Sequence, residues 1–93
     1  MTHWPDRRVL DLFGIELPII QAPMAGATTP EMVIAVSEAG GLGSLPCAMY
    51  SATQAREALD TIRRATSRPI NLNFFCHTPP AEDGARAMAW RAR

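Results

Sequence analysis

Short apolar runs alternate with longer amphipathic stretches along the chain, and the alternation repeats. Ile19 to Ala22, Leu42 to Leu45 and Ile70 to Phe74 are runs of the length and character of strands covered on both faces. Between them lie two stretches with helical spacing. The first opens on Thr29-Pro30-Glu31, a hydroxyl N-cap, a proline at the first helical position and an acid in the first turn. Met32, Val33, Val36 and Ala39 fall on its apolar stripe, Gly40 ends it, and Gly41 is expected to allow the tight turn into the next strand. The second opens on Ser51-Ala52-Thr53-Gln54, which fits a capping box. Ala55, Ala58, Leu59 and Ile62 form its buried stripe, with Arg56–Asp60 and Asp60–Arg64 as i,i+4 pairs on the wet side. Ser67-Arg68-Pro69 breaks it.

The two ends extend the pattern. Residues 1–14 read as an N-terminal arm with a short helix from Arg7 to Phe13, capped by Asp6 and stopped by Gly14. Pro18 opens the first strand, where a missing N–H costs little. Pro79-Pro80 closes a loop, and Ala81 to Arg93 reads as a third helix. Strands opening near residues 18, 42 and 70 give a period of roughly 24–28 residues, the spacing of strand–helix repeats. The fold class is therefore α/β with parallel strands and right-handed crossovers. Ile19, Ile20, Val33, Val36, Leu42, Leu45, Leu59, Ile62 and Leu72 are the expected core.

Composition narrows the partners. Nine arginines balance nine acids with no lysine, and the arginines are scattered. A nucleic-acid binder needs a clustered basic face, so nucleic acid is not expected as a partner. Cys47 and Cys76 are too few and too far apart for a zinc site or a disulfide scaffold, and read as free buried thiols in a reducing cytosol. Trp4-Pro5-Asp6-Arg7-Arg8 places proline and charge where a leader would be apolar, and the apolar runs are too short to span a bilayer. A cytoplasmic protein with no membrane partner is the expectation.

Ligands of parallel α/β folds gather at the carboxyl ends of the strands. Three segments qualify: Ala22-Pro23-Met24-Ala25-Gly26, Leu45-Pro46-Cys47 and Asn73-Phe74-Phe75-Cys76-His77. In the first, proline fixes one φ and small residues flank it, so a flat ligand could lie on exposed backbone against the Met24 side chain. A plain strand-to-helix loop that packs small residues has the same spacing. Gly26-Ala27-Thr28-Thr29-Pro30 is no dinucleotide fingerprint, and without lysine there is no P-loop. Gly40-Gly41-Leu42-Gly43 precedes a strand, where a helix stop fits better than a phosphate cradle. Asn71 and Asn73 alternate with Leu72 and so share one face of the third strand, either as a polar layer or, at Asn73, towards a ligand. His77 reads as a loop residue, and His3 carries no signal.

The stretch from about Phe13 to Pro80 resembles the nitronate monooxygenases, formerly 2-nitropropane dioxygenases. The resemblance is carried by Pro18-Ile19-Ile20-Gln21-Ala22-Pro23-Met24-Ala25-Gly26, Thr29-Pro30-Glu31, Ala39-Gly40-Gly41-Leu42-Gly43 and Arg68-Pro69-Ile70-Asn71-Leu72-Asn73-Phe74. It implies an FMN-dependent TIM-type (β/α) barrel, of which 93 residues hold about the first three βα units, since a closed barrel takes about 250. Residues 1–93 would then be the N-terminal fragment of one FMN-binding domain. The implied reaction is oxidative denitrification of an alkyl nitronate by O2 to a carbonyl compound and nitrite. Pro23, Met24 and Ala25 would lie against the flavin ring, and Asn73 matches an asparagine that contacts FMN. The family's catalytic histidine and glycine-rich phosphate loops lie on later strands, so no residue here is assigned catalysis. Two alternatives stay open: a flavin-dependent enoyl-acyl-carrier-protein reductase of the same barrel group, and a truncated, non-catalytic gene product.

Overall fold

Proline after a hydroxyl, and serine three residues before glutamine, start the two helices that organise this chain. The structure, a computed structural model, describes residues 3–93. In order, the elements are α1 (Arg8–Phe13), α2 (Pro30–Glu38), β1 (Gly43–Pro46), α3 (Ala52–Ala65), β2 (Ile70–Asn73) and α4 (Gly84–Arg91). Thr29 caps α2 by accepting from the Met32 N–H, with Pro30 in the first turn. Ser51 and Gln54 complete the capping box of α3, each side chain bonded to the other's backbone N–H.

β1 and β2 pair in parallel, with Gly43 opposite Ile70 and Pro46 opposite Asn73. On the other side of β1, Ile20 makes a parallel bridge to Leu42. β1 is thus central, and all three chain segments run the same way. The bridge rests on two backbone bonds, Leu42 N–H to Ile19 O and Gln21 N–H to Leu42 O, both 2.9 Å. The first strand is therefore shorter than the expected Ile19–Ala22, because Pro23 has no N–H to donate to β1 in the next ladder step.

Residues alternate across the sheet. Gly43 and Leu45 face α2 and α3, where Val33, Leu45, Cys47, Ala58 and Ile62 form the main core with Ile34, Tyr50 and Ile70 against it. The second cluster is Leu10, Ile15 and Leu42, with Trp4 beside it, so the N-terminal arm covers the opposite face near Leu42. Gly40 O accepts from both the Glu16 and Leu17 N–H groups, which ties the arm to the turn before β1.

Several expectations are corrected. Ile19, Ile20 and Leu72 are 55%, 50% and 39% exposed, because nothing packs over the two edge segments. Val36 and Leu59 are half-buried. On α2, Met32 and Ala39 are exposed and the buried face is Val33 and Ser37. A serine replaces an apolar residue there because its hydroxyl ties β1 to the entry of β2: it accepts from the Gly43 N–H and donates to Pro69 O, both 3.1 Å. Gly43 itself is a packing residue, since a Cβ there would collide with the Val33 carbonyl. The left-handed turn lies at Gly40, φ 105°, and not at Gly41.

Helix ends also differ. Arg7 holds the cap position of α1, and Asp6 serves from one residue outside by accepting from the Arg8 N–H at 3.0 Å. The Arg8 guanidinium bonded to Asp6 lowers that carboxyl's pKa. Gly14 stops α1 in the left-handed conformation as expected. α4 starts at Gly84, not Ala81, because Asp83 caps it through the Arg86 N–H. The ion pairs among the described residues are Arg7–Asp11, Arg8–Asp6 and Arg68–Glu16, so neither expected pair on α3 forms. Cys47 is buried but Cys76 is exposed, in the stretch after β2 that packs on nothing.

The radius of gyration is 18.2 Å, against about 12 Å for a compact domain of this size. α4 buries no residue and stands off the body. No helix among the described residues is long and apolar enough to cross a membrane.

Candidate functional site

Parallel pairing brings the ends of the three chain segments to one edge of the sheet. There the Ala22–Thr28 turn, Pro46-Cys47 and Asn73 lie side by side. Cys47 N–H donates to Asn73 O at 2.9 Å, which extends the β1–β2 ladder by one residue. Of the residues assigned from sequence, Pro23 is half-buried, while Met24 and Ala25 are exposed and Asn73 is half-buried. Met24 presents half of its surface to solvent.

The turn is built from within. Ala27 and Thr28 N–H groups both donate to Met24 O, at 3.0 and 2.8 Å. Gly26 takes φ 82°, a left-handed value that a side chain would strain. Thr28 is buried, and its hydroxyl accepts from the Met24 N–H at 3.0 Å. Among the described residues no acceptor takes the Ala25 N–H.

On the sheet face away from α2 and α3, Ser44 lies opposite Asn71 and Pro46 opposite Asn73. Asn71 Nδ2 donates to Ser44 Oγ at 3.2 Å. That bond is the polar layer anticipated for the two asparagines, and it accounts for Asn71. The Asn73 amide has no partner among the described residues, one strand step nearer the turn. The two asparagines therefore differ in their side-chain partners.

Burial raises the Cys47 thiol's pKa, and the Asn73 backbone beside the sulfur opposes that shift. The thiol packs in the core and donates to Leu45 O at 3.6 Å, which removes it from the candidate chemistry. His77 sits in the loop after β2, its ring tilted against Phe75 at 6.3 Å between centroids. No hydrogen bond or ion pair joins it to another side chain among the described residues. Among the described residues no cluster of His, Cys, Asp and Glu could hold a metal.

Two open grooves lie away from the strand ends. One of about 480 Å³ runs along α4, lined by Arg86, Trp90 and Arg93, and another of about 420 Å³ lies by α1 and Pro18. Both are open grooves on elements with free flanks, not enclosures at the strand ends. The strand-end edge is an open platform. Sequence reading missed Gln21, Thr28 and Ser44, which shape that platform. The signal was there: three polar residues at or beside strands, each needing a partner once buried.

The sequence profile of the nitronate monooxygenase family matches residues 6–92. The chain belongs to the nitronate monooxygenase family. It is 48% identical over 84 residues to the nitronate monooxygenase of Paraburkholderia phytofirmans, which covers 90% of this chain and 23% of that protein. Over 83 residues it is 47% identical to the nitronate monooxygenase of Pseudomonas aeruginosa, covering 89% of this chain and 24% of the relative. Among solved structures it is similar to FabK from Thermotoga maritima, with TM-score 0.72 and 40% identity over 77% of this chain and 23% of FabK. It is also similar to nitroalkane oxidase from Streptomyces ansochromogenes, with TM-score 0.71 and 37% identity over 88% and 24%. These solved neighbours are TIM-barrel-type enzymes, and this chain is an α/β piece with a parallel sheet. The chain spans about a quarter of the length of the relatives it matches. The motifs that carried the resemblance lie inside the matched region.

Proposed function

We propose that residues 1–93 form the N-terminal part of an FMN-binding (β/α) barrel, about its first three βα units, in a cytoplasmic nitronate monooxygenase. The sequential parallel order of the Ile20 segment, β1 and β2 is the order in which such a barrel is laid down. Substrate would be an alkyl nitronate, with O2 as oxidant and a carbonyl compound and nitrite as products.

The observation that carries the flavin reading is the strand-end platform. Met24 offers an apolar wall, Ala25 an open N–H and Asn73 an amide without a partner, all on one edge. A flat heteroaromatic ring with polar atoms at its rim needs that combination. The residues fit the ring portion of FMN: Pro23, Met24 and Ala25 would lie along it and Asn73 would meet its polar edge. When bound, FMN supplies the redox chemistry, and the protein orients and desolvates the reacting groups. The catalytic base and the phosphate loops belong to strands other than these three. No residue of this chain is given a catalytic role.

Expression of the complete gene product tests the reading. A yellow protein that releases nitrite from an alkyl nitronate in the presence of O2 is the expected result. Structural likeness does not rank the family's relatives, with TM-scores of 0.72 and 0.71 for the two neighbours. A second reading therefore enters the same assay, a flavin-dependent enoyl-acyl-carrier-protein reductase. NAD(P)H-driven enoyl reduction without nitrite release would select it. A protein that binds no flavin would overturn both and favour a non-catalytic product.

A further inference from the structure

The parallel ladder between the first segment and β1 ends at Ile20–Leu42, yet the chain stays registered on β1 for another residue. A side chain does this. Gln21 Oε1 accepts from the Ser44 N–H at 2.9 Å, and Gln21 Nε2 donates to Ser44 O at 3.1 Å. Continuing the ladder would need the Gln21 carbonyl and an N–H at residue 23, which Pro23 lacks, and the carboxamide bonds Ser44 in their place. The main chain is freed to turn at Ala22. Nε2 also lies 2.8 Å from Ala22 O and 3.3 Å from Thr28 Oγ1, so its two N–H groups are shared among three acceptors and the same amide reaches both ends of the turn.

Thr28 completes the arrangement. Its hydroxyl accepts from Gln21 Nε2 and from the Met24 N–H, and donates to Ala22 O at 3.5 Å. One donor and two lone pairs are all that a hydroxyl has, and each is used. Both Thr28 and Ser44 are buried, so water competes weakly for these bonds. Ser44 Oγ carries the chain of bonds on to Asn71 and β2. A continuous polar path therefore runs from β2, through β1, to the backbone of Met24.

We infer that Gln21 and Thr28 are positioning residues, which clamp the Ala22–Thr28 turn to β1 through side-chain bonds and so fix where Met24 and the open Ala25 N–H meet a bound ring. The inference rests on the flavin reading above. It adds that the platform is set before a ligand arrives, with the Thr28 hydroxyl as the last link to Met24. Preorganisation of this kind lowers the cost of binding.

Thr28→Val keeps the branched shape and removes the hydroxyl, whereas Thr28→Ser keeps the hydroxyl. Both variants are made in the complete gene product. Amide exchange at Met24, the FMN dissociation constant and the positions of the flavin absorbance bands are measured. In Thr28→Val, Met24 exchange is expected to quicken about tenfold and FMN to bind about tenfold more weakly, the effect of one hydrogen bond. The flavin bands shift, because the ring sits differently. Thr28→Ser restores all three towards wild type. A Thr28→Val protein with wild-type FMN affinity and spectrum would overturn the inference, as would a Thr28→Ser protein that behaves like the valine variant. A wild-type protein without FMN would overturn the functional reading instead. The clamp would then be judged on exchange at Met24 alone, and unchanged exchange in Thr28→Val would refute it.

Discussion

At Gly43 a hydrogen in place of a methyl decides how near α2 lies to the sheet. A Cβ built there meets the Val33 carbonyl, with Ser37 Oγ at 2.7 Å and Val33 Cγ1 at 2.9 Å. None of these is a flexible tip. Gly43→Ala should cost about 3 kcal/mol or prevent folding, the upper end of overpacking. Gly26→Ala has open space around it and strains only a left-handed φ, a cost of about 1 kcal/mol. Denaturant midpoints order the two, and a larger loss at Gly26 would contradict the packing role of Gly43. The cysteines separate in the same way. A maleimide should label Cys76 quickly in the native chain and leave Cys47 untouched until unfolding, and equal rates would contradict the burial. Because burial raises the folded Cys47 pKa, the folded state holds its proton more tightly than the unfolded one. Stability is therefore full below the ordinary thiol range of about 8.5 and declines as pH rises through it. A Cys47→Ala variant should lose that alkaline decline. At the site, Asn73→Ala in the complete gene product should weaken FMN retention, by about 1–3 kcal/mol for one lost partner. Asn71→Ala should act less, since that amide already serves Ser44. Equal losses would remove the distinction between the two. The turn after the first strand was legible at Pro23 and Gly26, where proline and glycine punctuate the chain. Gln21 and Thr28 stood out only as polar residues near strands, and their partners, far along the chain or across a turn, came from the fold.

Caps and breakers made the helices the most legible elements. Ser51 with Gln54 and Thr29 with Pro30 each show in the sequence what they do in the structure. Ser51→Ala should cost about 1 kcal/mol, and Ser51→Asp, which keeps an acceptor for the Gln54 N–H, should recover most of it. Helicity by far-UV circular dichroism through a thermal ramp would show this. A neutral Ser51→Ala would mean that tertiary packing alone holds α3. Strands were legible as apolar runs, but their pairing depth was not. The first run becomes a single bridge because Pro23 has no N–H for the next ladder bond, and the Gln21 side chain bonds Ser44 instead. α4 lost its first turn to Asp83, a cap that competes with the start expected at Ala81. The stripe of α2 was misread at Ser37, since periodicity counts apolar residues and passes over a hydroxyl bonded to two strands.

Over the whole molecule, the parallel α/β order was legible from the spacing of the runs, but their exposure was not, because burial depends on what covers each face. The Ile20 segment and β2 are both edges, with unpaired backbone on their outer sides. Ile19, Ile20 and Leu72 are exposed beside them, and Phe74, Phe75, Met88 and Trp90 are more than half exposed beyond β2. Exposed edges with apolar neighbours are templates for pairing with another chain. The clamp at Gln21 leaves this liability in place, for it secures the inner side of the first segment and not the outer. A flavin would find only the ring platform here, with no glycine-rich loop among these strands to hold its phosphate. The 93-residue chain by itself should therefore self-associate, bind negligible FMN and release no nitrite from an alkyl nitronate. Size-exclusion chromatography with light scattering, a visible spectrum after incubation with FMN, and a nitrite assay check the three parts. Addition of low urea should shift the associated species towards monomer before α3 unfolds, because edge pairing buries less apolar surface than the α2–α3–β1 core. A monomeric, yellow and active chain would show that three strands suffice, and it would refute the barrel-fragment reading of the fold.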